Sequence, residues 1–183
     1  YDPNPSVDGK KWAFFSLAIL EFCRVQKWIP DVVHANDWHT ALVPYLMRSE
    51  NEFKEIFGKT ATILGVHNLP FMGGGTQPGL TAMGISPSKD FRLPKWARNM
   101  PLPMGLATAD RIIAVSPGYA GEILTPEFGC GLEGFLFTCT EKVTGVLNGL
   151  DTSAWNPARD SFLVSTYTSL SIKNRERNKQ EML

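Results

Sequence analysis

Four short apolar runs rich in β-branched residues recur along the chain, near residues 31–35, 60–66, 110–115 and 142–147. Runs of this length and composition are typical of strands buried in a parallel sheet. Between the runs, apolar residues recur at helical spacing, and Ser116 followed by Pro117 is a typical helix start. The alternation predicts a doubly wound parallel α/β sheet in which the four strands are neighbours.

The longest helical pattern precedes the first strand. Apolar residues between positions 12 and 25 fall on nearly every turn, which predicts a helix that is buried on one broad face. Residues 1–10 contain two prolines and a glycine, and we expect them to form an irregular lead-in. A second helix is predicted over residues 38–47, with a break or kink near Pro44 because proline lacks the N–H of a helical hydrogen bond.

The segment 69–103 differs from the rest of the chain in composition and in the absence of a regular apolar pattern. It holds a triple glycine, six of the 13 prolines and scattered aromatic residues, and its apolar residues show no sustained period. A long irregular segment inside a compact domain is usually functional or disordered, and the aromatic residues favour a function. We expect this segment to lie over the carboxyl edge of the sheet.

Composition and charge narrow the classes of function. The 18 basic and 18 acidic residues balance, so neither a nucleic acid nor a membrane surface is an expected partner. The chain is 43% apolar, and no run approaches the ~18 apolar residues of a membrane span. The three cysteines form no CxxC pair, which favours a reducing compartment. Because the chain starts without methionine and stops inside an apparent charged helix at 173–183, we expect a fragment of a longer protein.

Polar side chains follow the first two predicted strands at their carboxyl ends. They are Asn36, Asp37, Trp38 and His39 after the first strand, and His67 and Asn68 after the second. The carboxyl ends of parallel strands share one edge of the sheet, where helix N-termini also present free N–H groups. The sequence therefore predicts a ligand site at this edge.

Other interpretations of the same residues remain open. His34, Asp37 and His39 form an H-x-x-D-x-H pattern, whose imidazole and carboxylate groups could hold a divalent metal ion for hydrolysis. His34 could equally be a core residue, Asp37 a helix N-cap and Trp38 a core side chain. The glycines at 73–75 lack the Lys-Ser/Thr of a nucleotide-binding loop, and no Ser-His-Asp or Cys-His nucleophile arrangement is evident.

Five motifs, in order and at matching spacing, resemble those of the bacterial and plant glycogen/starch synthases. They are Pro30-Asp-Val-Val-His-Ala-Asn-Asp-Trp-His-Thr40, Val66-His-Asn-Leu69, Ala109-Asp110 with Ala114-Val-Ser-Pro-x-Tyr-Ala-x-Glu-Ile123, Thr125-Pro-Glu-Phe-Gly-x-Gly-Leu-x-Gly134, and Gly145-Val-Leu-Asn-Gly-Leu-Asp151-x-x-x-Trp155-Asn-Pro157. No single motif is diagnostic, but five in order over nearly the whole chain are very specific.

The resemblance implies a Rossmann-like domain within a two-domain, B-type glycosyltransferase fold. Residues 1–157 would be an incomplete N-terminal, acceptor-side domain, and residues 158–183 the interdomain linker and the start of the C-terminal domain. The implied activity is that of a retaining glucosyltransferase without cofactor or metal. It would pass glucose from ADP-glucose or UDP-glucose to the non-reducing end of an α-1,4-glucan, glycogen or starch. The implied location is the cytoplasm, or a plastid if the source is a plant or an alga.

The resemblance also assigns roles by motif position. Asp37, Trp38, His39 and Asn68 would bound the sugar site, and His67 would be the catalytic residue that presents its main-chain carbonyl to the transferring glucose. The family's N-terminal Lys-x-Gly-Gly loop and the phosphate-binding residues of its C-terminal domain lie outside this chain. We therefore expect the isolated chain to be inactive.

Two alternative functions remain, one suggested by departures from the family's motifs and the other by the histidines. Leu69-Pro-Phe-Met-Gly73 replaces the family's more usual Leu-Ala-Tyr-Gln-Gly, and residues 74–103 match the family poorly. One alternative is thus another two-domain glycosyltransferase that uses a sugar nucleotide, such as a relative of sucrose synthase with a different sugar acceptor. The other is a metal-dependent hydrolase using His34, Asp37 and His39.

Overall fold

Four parallel strands form one sheet in the order β1-β2-β3-β4 in the computed structural model, which describes residues 1–183. The strands are β1 (Val32–Asn36), β2 (Ala61–Val66), β3 (Arg111–Ala114) and β4 (Val143–Gly145). Each pairs in parallel with the next along the chain. The predicted α/β class, the positions of the strands and their parallel pairing are confirmed.

Nine α-helices accompany the sheet. They are α1 (Pro5–Val25), α2 (Asp37–Thr40), α3 (Leu42–Ser49), α4 (Asn51–Phe57), α5 (Gln77–Ala82), α6 (Pro101–Thr108), α7 (Pro117–Glu122), α8 (Glu133–Phe137) and α9 (Arg175–Met182). Short 3-10 helices cover Lys95–Ala97, Thr140–Lys142 and Ile172–Asn174. None of the helices is both long enough and apolar enough to span a membrane.

Helix α1 starts five residues into the chain, so the predicted irregular lead-in over residues 1–10 was wrong. The side chain of Asn4 accepts a hydrogen bond from the N–H of Ser6, and Pro5 takes the first helical position, where its missing N–H costs nothing. Only one stripe of the helix is buried. Apolar side chains outside this stripe are exposed, among them Phe14 at 65% and Val25 at 61%.

The second predicted helix is interrupted at Ala41 rather than near Pro44. It forms two pieces, α2 and α3, and Pro44 is the third residue of α3. Pro44 has no N–H to donate to the carbonyl of Thr40 four residues earlier. The break therefore falls one turn before the proline that causes it.

The segment 69–103 is more regular than predicted. It contains α5, a 3-10 helix and the first turn of α6, and α5 packs closely on α1. A Cβ at Gly79 would lie 2.2 Å from the carbonyl oxygen of Ser6, so only glycine allows this contact. The start of the segment reaches the carboxyl edge of the sheet, where Gly73 lies against the indole of Trp38.

The sheet buries one of its faces. Residues such as Ala35, Leu64 and Ile112 are at most 4% exposed and share a core with side chains of α6 and α8. Burial of each large aliphatic side chain contributes roughly 1.5–3 kcal/mol. A second core lies among α1, α3, α4 and α5. On the other face of the sheet, His34 is exposed and Ile113 is half-buried.

The chain divides into two compact units, Tyr1–Leu147 and Asn148–Leu183. In the second unit, the side chain of Asn178 in α9 accepts from the N–H of Ser165 and donates to its carbonyl. The charged helix expected near 173–183 is confirmed, and it has no buried residue.

The contact between α6 and the α2–α3 junction yields a prediction about stability. A Cβ at Gly105 would lie 2.4 Å from the carbonyl oxygen of Ala41, whereas a Cβ at Gly121 in α7 meets no atom within 4 Å. Gly105→Ala should therefore destabilise the full-length protein by roughly 1–3 kcal/mol. Its matched control, Gly121→Ala, should stabilise it by about 0.4–1 kcal/mol through lower entropy of the unfolded chain. Urea unfolding measures both changes, and equal effects would contradict the packing described here.

Candidate functional site

The site begins at the turn from β1 into α2. Asp37 has a left-handed backbone (φ 53°), a conformation that aspartate tolerates better than most residues. The carboxylate does not cap α2, because the N-cap position is Asn36 and no side-chain capping bond forms. Instead Asp37 Oδ1 accepts the backbone N–H of His67 at 2.8 Å. One carboxylate thus joins the carboxyl ends of β1 and β2.

A second contact between the same two strand ends involves Asn36. Its Oδ1 lies 3.2 Å from Nε2 of His67. The opposing position on β2 is Gly65, where a Cβ would lie only 2.5 Å from Asn36 Oδ1 and 3.3 Å from Nε2 of His34. Glycine at this register position therefore leaves room for the Asn36 side chain to reach His67.

The main chain after β2 is held at two points. The N–H of His67 bonds Asp37, and the N–H of Leu69 donates to the hydroxyl of Tyr119 at 2.8 Å. Between them, the carbonyl of Asn68 accepts the N–H of Phe71 at 3.2 Å. No protein group donates to the carbonyl of His67. An open acceptor therefore lies within a segment whose position is fixed on both sides.

Aromatic rings surround His39, the third residue of α2. Its imidazole lies 4.5 Å from the Trp38 ring and 4.9 Å from the Trp12 ring, measured between centroids. The hydroxyl of Tyr1 lies 2.7 Å from His39 Nε2, and the Tyr1 ring stacks on Trp38 at 5.9 Å. Burial among these groups lowers the pKa of His39, against a smaller opposite effect of the Asp37 charge. The lowered pKa favours the neutral imidazole.

Trp38 belongs both to the core and to a cavity at the edge. Its side chain is only 5% exposed, in agreement with the core interpretation, and Gly73 packs against it with φ 80°, a conformation suited to glycine. A cavity of about 300 Å³ adjoins the indole, between Asp8, Phe71 and Gly74. The Asp8 carboxylate accepts from Lys11 Nζ and from the N–H of Asp2, and the Lys11 contact lowers its pKa.

The histidines do not form a metal centre. No group of three His, Cys, Asp or Glu side chains is placed so that it could hold a metal ion. His34 lies in the strand, with its Nε2 near Gly65, while the His39 imidazole bonds Tyr1. The H-x-x-D-x-H pattern is thus divided between β1, which holds His34, and α2, which holds Asp37 and His39.

The structure brings most of the predicted site residues to one edge. Asp37 contacts the His67 main chain directly, and His67 and Asn68 are exposed there. Trp38 and His39 form the adjoining aromatic group with Tyr1 and Trp12, which sequence reasoning did not include. Tyr119 was missed as well, although the Ser-Pro-x-Tyr motif marks it.

The chain is similar to known proteins along most of its length. The starch synthase catalytic domain family matches residues 1–138. A glycogen synthase of Treponema denticola is 36% identical over 181 residues, 98% of this chain and 37% of that protein. A glycogen synthase of Thermodesulfovibrio yellowstonii is 37% identical over 178 residues, 96% of this chain and 36% of that protein. The chain thus spans little more than a third of these relatives.

A solved structure is similar over the whole chain. It is the catalytic domain of starch synthase IV from Arabidopsis thaliana bound to ADP and acarbose, with a TM-score of 0.79 and 28% identity. The match covers 100% of this chain and 38% of that one. Sequence and fold therefore point to the same relatives.

The lowered pKa of His39 predicts how stability depends on pH. As pH falls through about 6.5, His39 in the unfolded chain takes up a proton before His39 in the folded chain does. The contribution of His39 is complete above this pH and is lost as pH falls toward its folded pKa. His39→Gln should therefore weaken the loss of stability between pH 7 and 5, measured by unfolding of the full-length protein at each pH. A variant that loses more stability on acidification than the parent would contradict the burial of a neutral imidazole.

Proposed function

Because the chain belongs to the starch synthase catalytic domain family, we propose that the full-length protein is a retaining glucosyltransferase, a glycogen or starch synthase. It transfers glucose from a sugar nucleotide to the non-reducing end of an α-1,4-glucan. The relatives of about 36% identity that carry the name glycogen synthase support this proposal. The Rossmann-like, B-type glycosyltransferase fold expected from the sequence agrees with the similarity to the starch synthase IV domain.

The observation that carries the proposal is the open carbonyl of His67 at the carboxyl edge of the sheet. It lies between two N–H groups that Asp37 and Tyr119 hold at 2.8 Å each. A carbonyl dipole that is fixed before the reaction stabilises positive charge without reorganisation. Glycosyl transfer passes through such a charge at the anomeric carbon. We assign His67 the catalytic role through this carbonyl.

The neighbouring residues would bound the sugar. Asp37 uses Oδ1 for the His67 N–H, and its other oxygen forms no hydrogen bond within the protein. This oxygen remains able to accept from a sugar hydroxyl. Asn68 offers an exposed amide, and Trp38 with His39 offers the ring surfaces beside the cavity. These four residues form our proposed substrate-binding set.

The chemistry exchanges one bond to the anomeric carbon for another. The bond from this carbon to the diphosphate oxygen breaks, and a bond to the acceptor 4-hydroxyl oxygen forms on the same face. The hydroxyl proton leaves with the departing nucleoside diphosphate. No arginine or lysine forms a hydrogen bond or an ion pair with Asp37, His67 or Asn68. We assign the phosphates to other parts of the full-length protein.

The donor is ADP-glucose or UDP-glucose, and the ADP bound to the related Arabidopsis domain favours ADP-glucose. We propose that residues 1–157 belong to the acceptor-side domain and residues 158–183 to the linker and the start of the next domain. The isolated chain should then be inactive. The proposed location is the cytoplasm, or a plastid in a plant or an alga.

The test is glucose transfer by the full-length protein. Radiolabelled ADP-glucose and UDP-glucose are offered separately with glycogen or with fructose as acceptor. Incorporation into glycogen, released by an α-1,4-specific glucosidase, is the expected result. Transfer to fructose would support the alternative related to sucrose synthase, and release of free glucose without transfer would contradict the proposal.

Asp37 and Asp110 provide a matched pair of variants. Asp37 Oδ1 accepts the N–H of His67 after β2, and Asp110 Oδ2 accepts the N–H of Thr62 near the start of β2, both at 2.8 Å. Asp37→Asn should lower kcat/KM by about 10- to 100-fold, because a charge-assisted hydrogen bond to the sugar is weakened. Asp110 Oδ2 also accepts from Arg48 and from the Thr62 hydroxyl, so Asp110→Asn should cost about 1–3 kcal/mol of stability and leave kcat/KM unchanged.

Steady-state kinetics and urea unfolding of both variants separate the two roles. If Asp37→Asn lost stability as Asp110→Asn does but kept full transfer, Asp37 would only join the strands, and its place in the substrate site would be wrong.

A further inference from the structure

We propose that Tyr119 is a positioning residue for this site. Its hydroxyl fixes the position of the His67–Asn68 main chain relative to the sheet. The open carbonyl of His67 is fixed with it. The effect of Tyr119 on catalysis rests on the proposed function. The effect of Tyr119 on the position of the main chain does not depend on that function.

Tyr119 contacts the segment after β2 directly, and this contact is shielded from solvent. The N–H of Leu69 donates to the Tyr119 hydroxyl at 2.8 Å. Leu69 is fully buried, so water cannot easily replace the hydroxyl as an acceptor. Burial also raises the pKa of Tyr119, which keeps the hydroxyl neutral at physiological pH. Removal of the hydroxyl would leave a buried N–H without a partner.

The hydroxyl and Asp37 act on the two ends of one short segment. Asp37 holds the N–H at position 67 and Tyr119 holds the N–H at position 69, so the one intervening peptide, between positions 67 and 68, has a fixed peptide plane on each side. Loss of either bond allows the peptide between positions 67 and 68 to rotate. A carbonyl dipole that stabilises charge through its orientation loses effect when it rotates.

The tyrosine is itself placed by β3 and β4. Ser116 caps α7 by accepting the N–H of Tyr119 at 2.9 Å. The end of β4 approaches this cap so closely that a Cβ at Gly145 would lie 2.3 Å from the Ser116 carbonyl oxygen and 2.4 Å from Pro117. The N–H of Val146 also bonds the carbonyl of Ala114 at 2.9 Å. The Ser-Pro-x-Tyr motif and Gly145 thus connect two further strands to the segment after β2.

Tyr119→Phe tests the inference, and Tyr45→Phe is its matched control. Tyr45 is also a tyrosine whose hydroxyl bonds one main-chain group, since it donates to the carbonyl of Ser86 at 2.9 Å. It lies in α3, within the other hydrophobic core. Both variants lose one hydrogen bond between a hydroxyl and the main chain and keep the aromatic ring. Only Tyr119→Phe frees the segment that carries His67.

The first measurement is hydrogen exchange of the full-length protein, followed by mass spectrometry of peptides that cover residues 66–71. Tyr119→Phe should raise exchange in these peptides, whereas Tyr45→Phe should not. The second measurement is glucose transfer, in which Tyr119→Phe should lower kcat by roughly 10-fold and change the KM for the donor by less than about twofold. Tyr45→Phe should match the parent in both constants.

Kinetics and hydrogen exchange test the proposed function and the positioning role of Tyr119 separately. If the parent transfers glucose and Tyr119→Phe behaves as Tyr45→Phe does in kcat, the positioning role is overturned while the proposed function stands. If the parent transfers no glucose, the proposed function fails, and the exchange measurement alone tests whether Tyr119 positions the main chain. Unchanged exchange over residues 66–71 in Tyr119→Phe then overturns the inference, and faster exchange supports its geometric part.

Discussion

The hydrogen bond from the N–H of His67 to the carboxylate of Asp37 is the interaction on which the site depends. It joins the turn after β1 to the turn after β2, at the edge where ligands bind to parallel sheets. For the carboxylate to reach across, Asp37 takes a left-handed backbone conformation. Such strain persists only where the surrounding structure supports it, and it is concentrated at functional sites. The bond orders the two strand ends relative to each other and leaves the His67 carbonyl open.

The core and the sheet register make this bond possible. The pairing of Asn36 with Gly65 aligns the ends of β1 and β2, and glycine at that position keeps the gap between the strands clear. Beneath them, the buried side chains of Leu64 and Val66 anchor β2 on the helical layer. Gly105 lets α6 approach the α2–α3 junction at Ala41, which fixes the end of the helix that carries His39. Small residues at close contacts therefore determine where the polar groups lie.

The sheet and part of the site were predictable because their signals are local. Short β-branched runs identified the strands, and polar residues after two of them identified the edge that holds Asp37 and His67. The start of α1 was missed because two prolines were taken as a sign of irregular chain, although one of them occupies the first helical position. Tyr1, Trp12 and Tyr119 join the site only through tertiary packing, over separations of up to 50 residues, which spacing along the chain does not reveal.

The role of the His67 carbonyl can be tested by a crystal structure of the full-length protein with a non-transferable analogue of ADP-glucose and a short α-1,4-glucan. The measured quantity is the distance from the carbonyl oxygen of His67 to the anomeric carbon of the donor glucose. We expect a distance of about 3–3.5 Å, the range of a pre-organised reacting geometry, with Asp37 bonded both to the N–H of His67 and to a sugar hydroxyl. A donor glucose bound away from this edge, or a His67 carbonyl turned from the anomeric carbon in the complex, would contradict it.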